Sequence, residues 1–207
     1  MTEVPIHRVT EDLSDLTREL QLLMPGIGET LATHYLQRAI VKFCEVSSFW
    51  HEGLEITKQE GVVTYDLNLG AYLQIVDVKR VEVDGDEVRQ NVNDMGSVAR
   101  WMQRSPDTIE LYLDTGDVVT ITVAVKPKLH KGVFKASELI LTDYRDALIK
   151  GAKAELFAIP KRDWTDMTAA QMNGMAFESA ASAAANRQAS GFSRIPRRPS
   201  PRAYRFF

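Results

Sequence analysis

Residues 28–50, GETLATHYLQRAIVKFCEVSSFW, decide how the rest of the chain is read. Leu31, Tyr35, Ala39, Phe43 and Val46 recur at three- and four-residue steps, and Leu36, Ile40, Cys44 and Trp50 widen the same stripe. That period belongs to a helix burying a broad face, since strand side chains alternate every second residue. Pro25-Gly26 punctuates its start and Gly53 lies just past its end. The stretch is expected to be the central helix. Its polar flank of Glu29, Thr33, Gln37, Lys42 and Glu45 is left to solvent or to neighbouring subunits.

Upstream, residues 1–9 read as an extended lead-in. Thr10-Glu11-Asp12 offers a cap and first-turn acids to a short helix with Leu13, Leu16, Leu20 and Leu23 as its apolar stripe. Two helices joined at Pro25-Gly26 make a helical hairpin. Downstream the period switches to two. Residues 54–60 (LEITKQE), 62–67 (VVTYDL) and 72–83 (YLQIVDVKRVEV) read as strands, and Asp84-Gly85 is a hairpin signal with a return through Val88. Residues 94–103 (DMGSVARWMQ) read as one or two helical turns. Residues 108–113 (TIELYL) and 118–125 (VVTITVAV) read as a strand pair joined by Asp114-Thr115-Gly116-Asp117 and ended by Pro127. The result is an antiparallel module of roughly five to seven strands.

Helical period returns at residues 137–159, with Leu141, Tyr144, Leu148, Ala152 and Leu156 as the stripe and Pro160 as the stop. A last helix is expected from Asp166 to about Ser190, with Ala170, Gly174, Phe177, Ala181 and Ala184 inward. Its small side chains allow close helix–helix approach. The expected class is α+β. Residues 1–53 and 131–190 supply a helical bundle, residues 54–130 an inserted antiparallel β module, and residues 191–207 an extended arm.

Hydrophobic residues make up 44% of the 207, enough for a substantial core. The single cysteine, Cys44, excludes an internal disulfide framework and sits on the apolar helix face, which suits a buried inert thiol. MTEVPIHRVTEDLSD carries acids where a signal peptide needs an apolar core, and no run of 18 apolar residues offers a membrane span. These features predict a soluble protein made in a reducing compartment, with no membrane partner.

No motif carries chemistry. Gly26-Ile27-Gly28 lacks the preceding strand and third glycine of a dinucleotide fingerprint and suits a helix-to-helix turn. His7, His34, His51 and His130 are scattered, without metal-ligand spacing. Asp84/Asp86 and Asp114/Asp117 are explained by turn chemistry. No GxSxG or Walker pattern occurs. The expectation is a non-enzyme with no catalytic residue, cofactor or metal. A small enzyme with a site on the β module would need converging polar side chains in a pocket.

The charge distribution is specific. The net charge is −3, yet six of the 25 Lys and Arg fall in residues 187–207, which hold no acid. The other 19 face all 28 acids across residues 1–186, leaving that body at −9. Pro196, Pro199 and Pro201 keep the arm extended. Phe192, Ile195, Tyr204, Phe206 and Phe207 are interleaved with Arg194, Arg197, Arg198, Arg202 and Arg205. Arginine and aromatic residues anchor protein interfaces. They also suit nucleic acid, meeting phosphates and stacking on bases, although an acidic body repels a phosphate backbone. A third reading has the arm folding back on its own body.

The chain resembles the head–tail adaptor (connector, or neck) proteins of tailed bacteriophages. The resemblance is carried by the Pro25-Gly26 turn followed by LATHYLQRAIVKFCEVSSFWHE (31–52), then YDL (65–67) and YLQIVDVKRVEVDG (72–85). DALIKGAKAELFAIPKRDW (146–164) and MAFESAASAAANRQASGF (175–192) complete the succession, over roughly residues 13–195. It implies a structural virion protein, made in the bacterial host cytoplasm and located in the neck. Copies would form a ring, commonly twelvefold, beneath the portal protein, with the bundles around a channel through which DNA passes without specific recognition. The β module would face outward or toward the next tail component, whether nozzle, stopper or tail tube. By position, residues 191–207 match the arm that clasps portal, which assigns portal contact to Phe192, Arg194, Ile195, Arg197, Arg198, Arg202, Tyr204, Arg205, Phe206 and Phe207.

Overall fold

The computed structural model describes residues 2–4, 8–88, 90, 100–113, 118–129 and 134–189. The first helix, α1 (Ser14–Leu23), starts where the Ser14 N–H donates to Asp12 Oδ1 at 2.8 Å. Leu13, Leu16 and Leu20 are buried. Leu23, expected on that stripe, is half exposed, and Met24 beyond the helix takes its place in the core. Gly26 at φ +91° turns the chain into α2, a backbone angle that disfavours any side chain.

The central helix, α2 (Glu29–Ser47), is shorter than the stretch that announces it. It buries Ala32, Leu36, Ala39, Ile40, Phe43, Cys44 and Ser47. The expected Leu36, Ala39, Ile40, Phe43 and Cys44 are thus buried, while Leu31 and Tyr35 at the edge of the expected face are only half buried and Val46 is exposed. The helix stops because Ser47 Oγ donates to the Phe43 carbonyl (2.7 Å) and accepts the Phe49 N–H (3.2 Å), while Ser48 takes a left-handed φ of 48°. Phe49 and Trp50 then enter the core outside the helix. Gly53, expected as a terminator, is paired within the next strand.

Ten strands form among the described residues: β1 (Thr2–Val4), β2 (Val9–Thr10), β3 (His51–Thr57), β4 (Thr64–Asp66), β5 (Leu73–Val83), β6 (Asp86–Val88), β7 (Arg100–Ser105), β8 (Thr108–Tyr112), β9 (Val118–Pro127) and β10 (Ala136–Ser137). The main sheet has the order β1-β3-β9-β5-β6, all antiparallel. A second sheet runs β4-β8-β7, and β10 pairs with β2. Two expectations are corrected here. Of the expected helical turns at 94–103, residues 94–99 lie outside the described residues, and residues 100–105 are a strand, because Trp101 alternates into the core and pairs with Leu111. The segments at 108–113 and 118–125 are strands but not partners. β8 pairs with β4 and β7, while β9 lies between β3 and β5. The turn that matters is Pro106-Asp107, which closes the β7–β8 hairpin; the linker at 114–117 lies outside the described residues.

The expected helix at 137–159 is two helices, α3 (Glu138–Asp143) and α4 (Arg145–Phe157), broken at Tyr144. Tyr144 leaves helical geometry (φ −117°, ψ 21°) and its ring packs 4.7 Å from Phe43 and 5.0 Å from Phe49, centroid to centroid. Leu141 is half buried, and Ile140, Ala147 and Ile149 supply core contacts the expected stripe omitted. The last helix, α5 (Met167–Ala189), is capped by Asp166 Oδ1, which accepts the Ala169 N–H at 2.9 Å. Ala170, Phe177, Ala181 and Ala184 are buried as expected, and Gly174 is half buried. The fold is α+β, with α1, α2, α4 and α5 packed together and one apolar core running from these helices into the main sheet.

Candidate functional site

All ten residues assigned to portal contact, Phe192 through Phe207, lie outside the described residues. The body that carries the arm is described to the end of α5. There the Gln188 side-chain amide meets the His51 ring at 2.8 Å, fixing the departure point of the arm beside the start of β3.

Two depressions lie at this half of the bundle. The first, about 320 Å³, runs between Thr10–Leu16 on the approach to α1 and Glu138–Arg145 on α3 and α4. The second, about 410 Å³, lies between Thr142–Lys150 and α5 at Ala176 and Ala180. Thr142 and Arg145 line both, so both depressions border the α3–α4 junction. Asp12, Asp15 and Glu138 line the first and Asp143, Asp146 and Lys150 the second, with Arg145 bordering both. Arg145 is already engaged, its Nε donating to Glu19 Oε2 at 2.5 Å and its Nη2 to the Asp15 carbonyl at 3.3 Å. Backbone donation from Ser14 holds the Asp12 carboxyl below its ordinary range, so it stays anionic. Asp15, Glu138 and Asp146 lie in the first turns of α1, α3 and α4, where the local dipole favours a carboxylate, whereas Asp143 is the last residue of α3. The fold sets the approach to α1 beside α3, a neighbourhood that is not visible in the sequence.

A second surface is the outer face of α5. Met167, Met172 and Met175 are 65%, 63% and 58% exposed. Ser179, Ser182 and Ala183 continue the exposed face toward the helix end. The small residues were legible as close-packing helix. The three methionines stand at i, i+5 and i+8, all off the predicted inward stripe of Ala170, Gly174, Phe177, Ala181 and Ala184.

The remaining candidates resolve as structure. Gly26-Ile27-Gly28 is the turn between α1 and α2, with Ile27 buried. Burial drives the Cys44 thiol far above its ordinary pKa, which leaves it protonated and unreactive. His34 packs edge-on to Tyr35 at 5.4 Å. Asp84 and Gly85, with φ of 52° and 93°, form the two-residue β5–β6 turn. His7, His130, Asp114 and Asp117 lie outside the described residues. Glu52 is buried in β3, where its Oε1 accepts the Trp50 indole N–H at 2.6 Å. Among the described residues no three His, Cys, Asp or Glu side chains gather as a metal site would need. No described helix is long and apolar enough to cross a membrane. Neither a protein-family model nor a curated protein matches the chain.

Proposed function

We propose that this chain is a structural, non-enzymatic virion protein of a tailed phage: a ring-forming adaptor that joins portal to tail, with residues 191–207 docking on portal. The carrying observation is the junction at Ala189. A long helix with an exposed, nearly uncharged face ends there, and a terminus with five arginines and no acid follows. A ring needs two different surfaces on each subunit. The α5 face and the acidic body supply one kind of surface, and the arm supplies the other. The next tail component would meet the β module, and DNA would pass through the ring without specific contacts.

The test is to mix the protein with purified portal and image the product. A ring stacked on one face of portal is expected. Deleting residues 191–207 should abolish attachment while the melting temperature of the body stays the same, because no described core residue lies beyond Ala184. Attachment that survives the deletion overturns the arm assignment. The arginine–aromatic composition of the arm also favours a second reading, nucleic-acid binding. That reading requires duplex or single-strand binding that weakens steeply with salt, and it replaces the first if such binding appears and portal attachment does not.

A further inference from the structure

We propose that copies of this chain join head to tail, with the outer face of α5 on one copy packing against the outer face of α1 on the next. This rests on the ring-forming part of the function proposed above and names the two faces that meet; portal plays no part in it.

Both faces are open. On α5, Thr168, Met172, Met175, Ser179, Ser182 and Asn186 follow one another at steps of four and three, and every one is exposed. That spacing is the seam along which two helices pack. It runs opposite Ala170, Phe177, Ala181 and Ala184, which face the chain's own core. The seam carries no charge, and its second half is small or polar, so another helix can come close. On α1 the outer row is Ser14, Arg18 and Leu22. Leu22 is 76% exposed, more than any other large apolar side chain among the described residues, and Leu23 beside it is half exposed.

The two faces lie on different flanks of the subunit. α2 and α4 pack on each other, and α1 and α5 each pack on that pair rather than on one another. Unlike faces on different flanks are what a heterologous contact needs, and such contacts close into a ring when the rotation permits.

Direction and register also agree. α1 runs against α2, with the Thr17 and Thr33 hydroxyls 3.2 Å apart. α2 runs against α4, where Arg38 meets Glu155 at 2.7 Å and the Phe43 ring meets Tyr144. α4 runs against α5, where Gly151 faces Phe177 and Gly174 faces Ala154. α1 and α5 are therefore antiparallel, and α1 finishes at the end of the bundle where α5 starts. Rotation about an axis along the bundle keeps both relations between neighbours. Moving away from that end, Leu22 comes against Met172, Arg18 against Glu178 and Ser14 against Ser182. The charges in this register are complementary. Arg18 has no carboxylate partner among the described residues, and Glu178 makes only a loose 3.6 Å pair with Lys42, its side chain 63% exposed.

Sedimentation velocity of the full-length protein over a hundredfold range of concentration tests the pairing. The wild type should form species larger than a dimer as concentration rises. Leu22→Glu and Met172→Glu should each weaken association about a hundredfold. Mixed in equal amounts, those two variants should form a dimer and nothing larger, because each keeps one intact face. Arg18→Glu and Glu178→Arg should each weaken association roughly fivefold, and both changes in one chain should restore it. All four positions are exposed, so helical circular dichroism should match the wild type in every variant. Wild-type association of Leu22→Glu on its own overturns the pairing in favour of α5 against α5. A wild type that stays monomeric throughout overturns it as well. Assembly that ignores both variants removes these faces and leaves the ring; assembly as expected without attachment to portal leaves these faces and removes the portal reading.

Discussion

At the residue scale, Gly151 and Gly174 look alike in sequence, each a glycine inside a helix where alanine would serve better. Their surroundings give opposite predictions. A Cβ at Gly151 would lie 2.6 and 2.8 Å from two ring carbons of Phe177 and 3.1 Å from the Ala39 Cβ. Phe177 is fully enclosed and cannot swing away. Gly151→Ala should therefore destabilise the protein by about 1–3 kcal/mol, as overpacking does. A Cβ at Gly174 meets only the Ala154 Cβ at 3.8 Å, an ordinary contact. Gly174→Ala should stabilise by about 0.5–1 kcal/mol through helix propensity alone. Urea midpoints of the two variants check both signs. The sequence could place Ala39 and Phe177 on inward faces, but not the point where α2, α4 and α5 approach closely enough to require a glycine.

At the element scale, the helices were legible because their buried faces recur over many turns, whereas strand partners were not. β8 and β9 each alternate clearly, yet nothing local states that β8 turns back on β7 through Pro106-Asp107 and not forward through residues 114–117. Register between strands depends on tertiary packing, which short alternating segments underdetermine. Reading residues 100–103 as helix failed for the same reason, since one buried tryptophan cannot set a period. Trp101 is the seam between the two sheets. Its indole N–H donates to the Val88 carbonyl on β6 at 3.0 Å, with the ring buried. Trp101→Phe keeps most of the apolar volume and removes that donor. It should cost about 1–3 kcal/mol for the carbonyl left unsatisfied. Hydrogen exchange should show the loss concentrated in β6 and β7, and a uniform loss across the molecule would contradict the seam.

At the scale of the whole molecule, the question is whether the helical bundle and the β module are one folding unit. Sequence period divides them at residues 53 and 130, because the apolar repeat changes from helical to alternating there. Packing crosses that division. Trp50 leaves α2 directly into β3, and its carbonyl accepts the Val125 N–H of β9 at 2.8 Å. Lys126 on β9 pairs with Glu45 on α2. Buried side chains from α1, α2, α4, α5 and the main sheet belong to one apolar cluster. A unit that shares its core cannot lose half of it without exposing the other half, so unfolding should be a single cooperative transition. Helical circular dichroism and tryptophan fluorescence, read in a Trp164→Phe background so that it reports on Trp50 and Trp101, should give the same midpoint. Ile121→Ala, a fully buried truncation at the centre of the main sheet, should lower both signals together by about 2–5 kcal/mol. If the fluorescence midpoint moves and the helical midpoint stays, the β module unfolds on its own, and the shared core does not couple the halves. If both move together, force applied to the β module reaches the helices, as the proposed adaptor role would require.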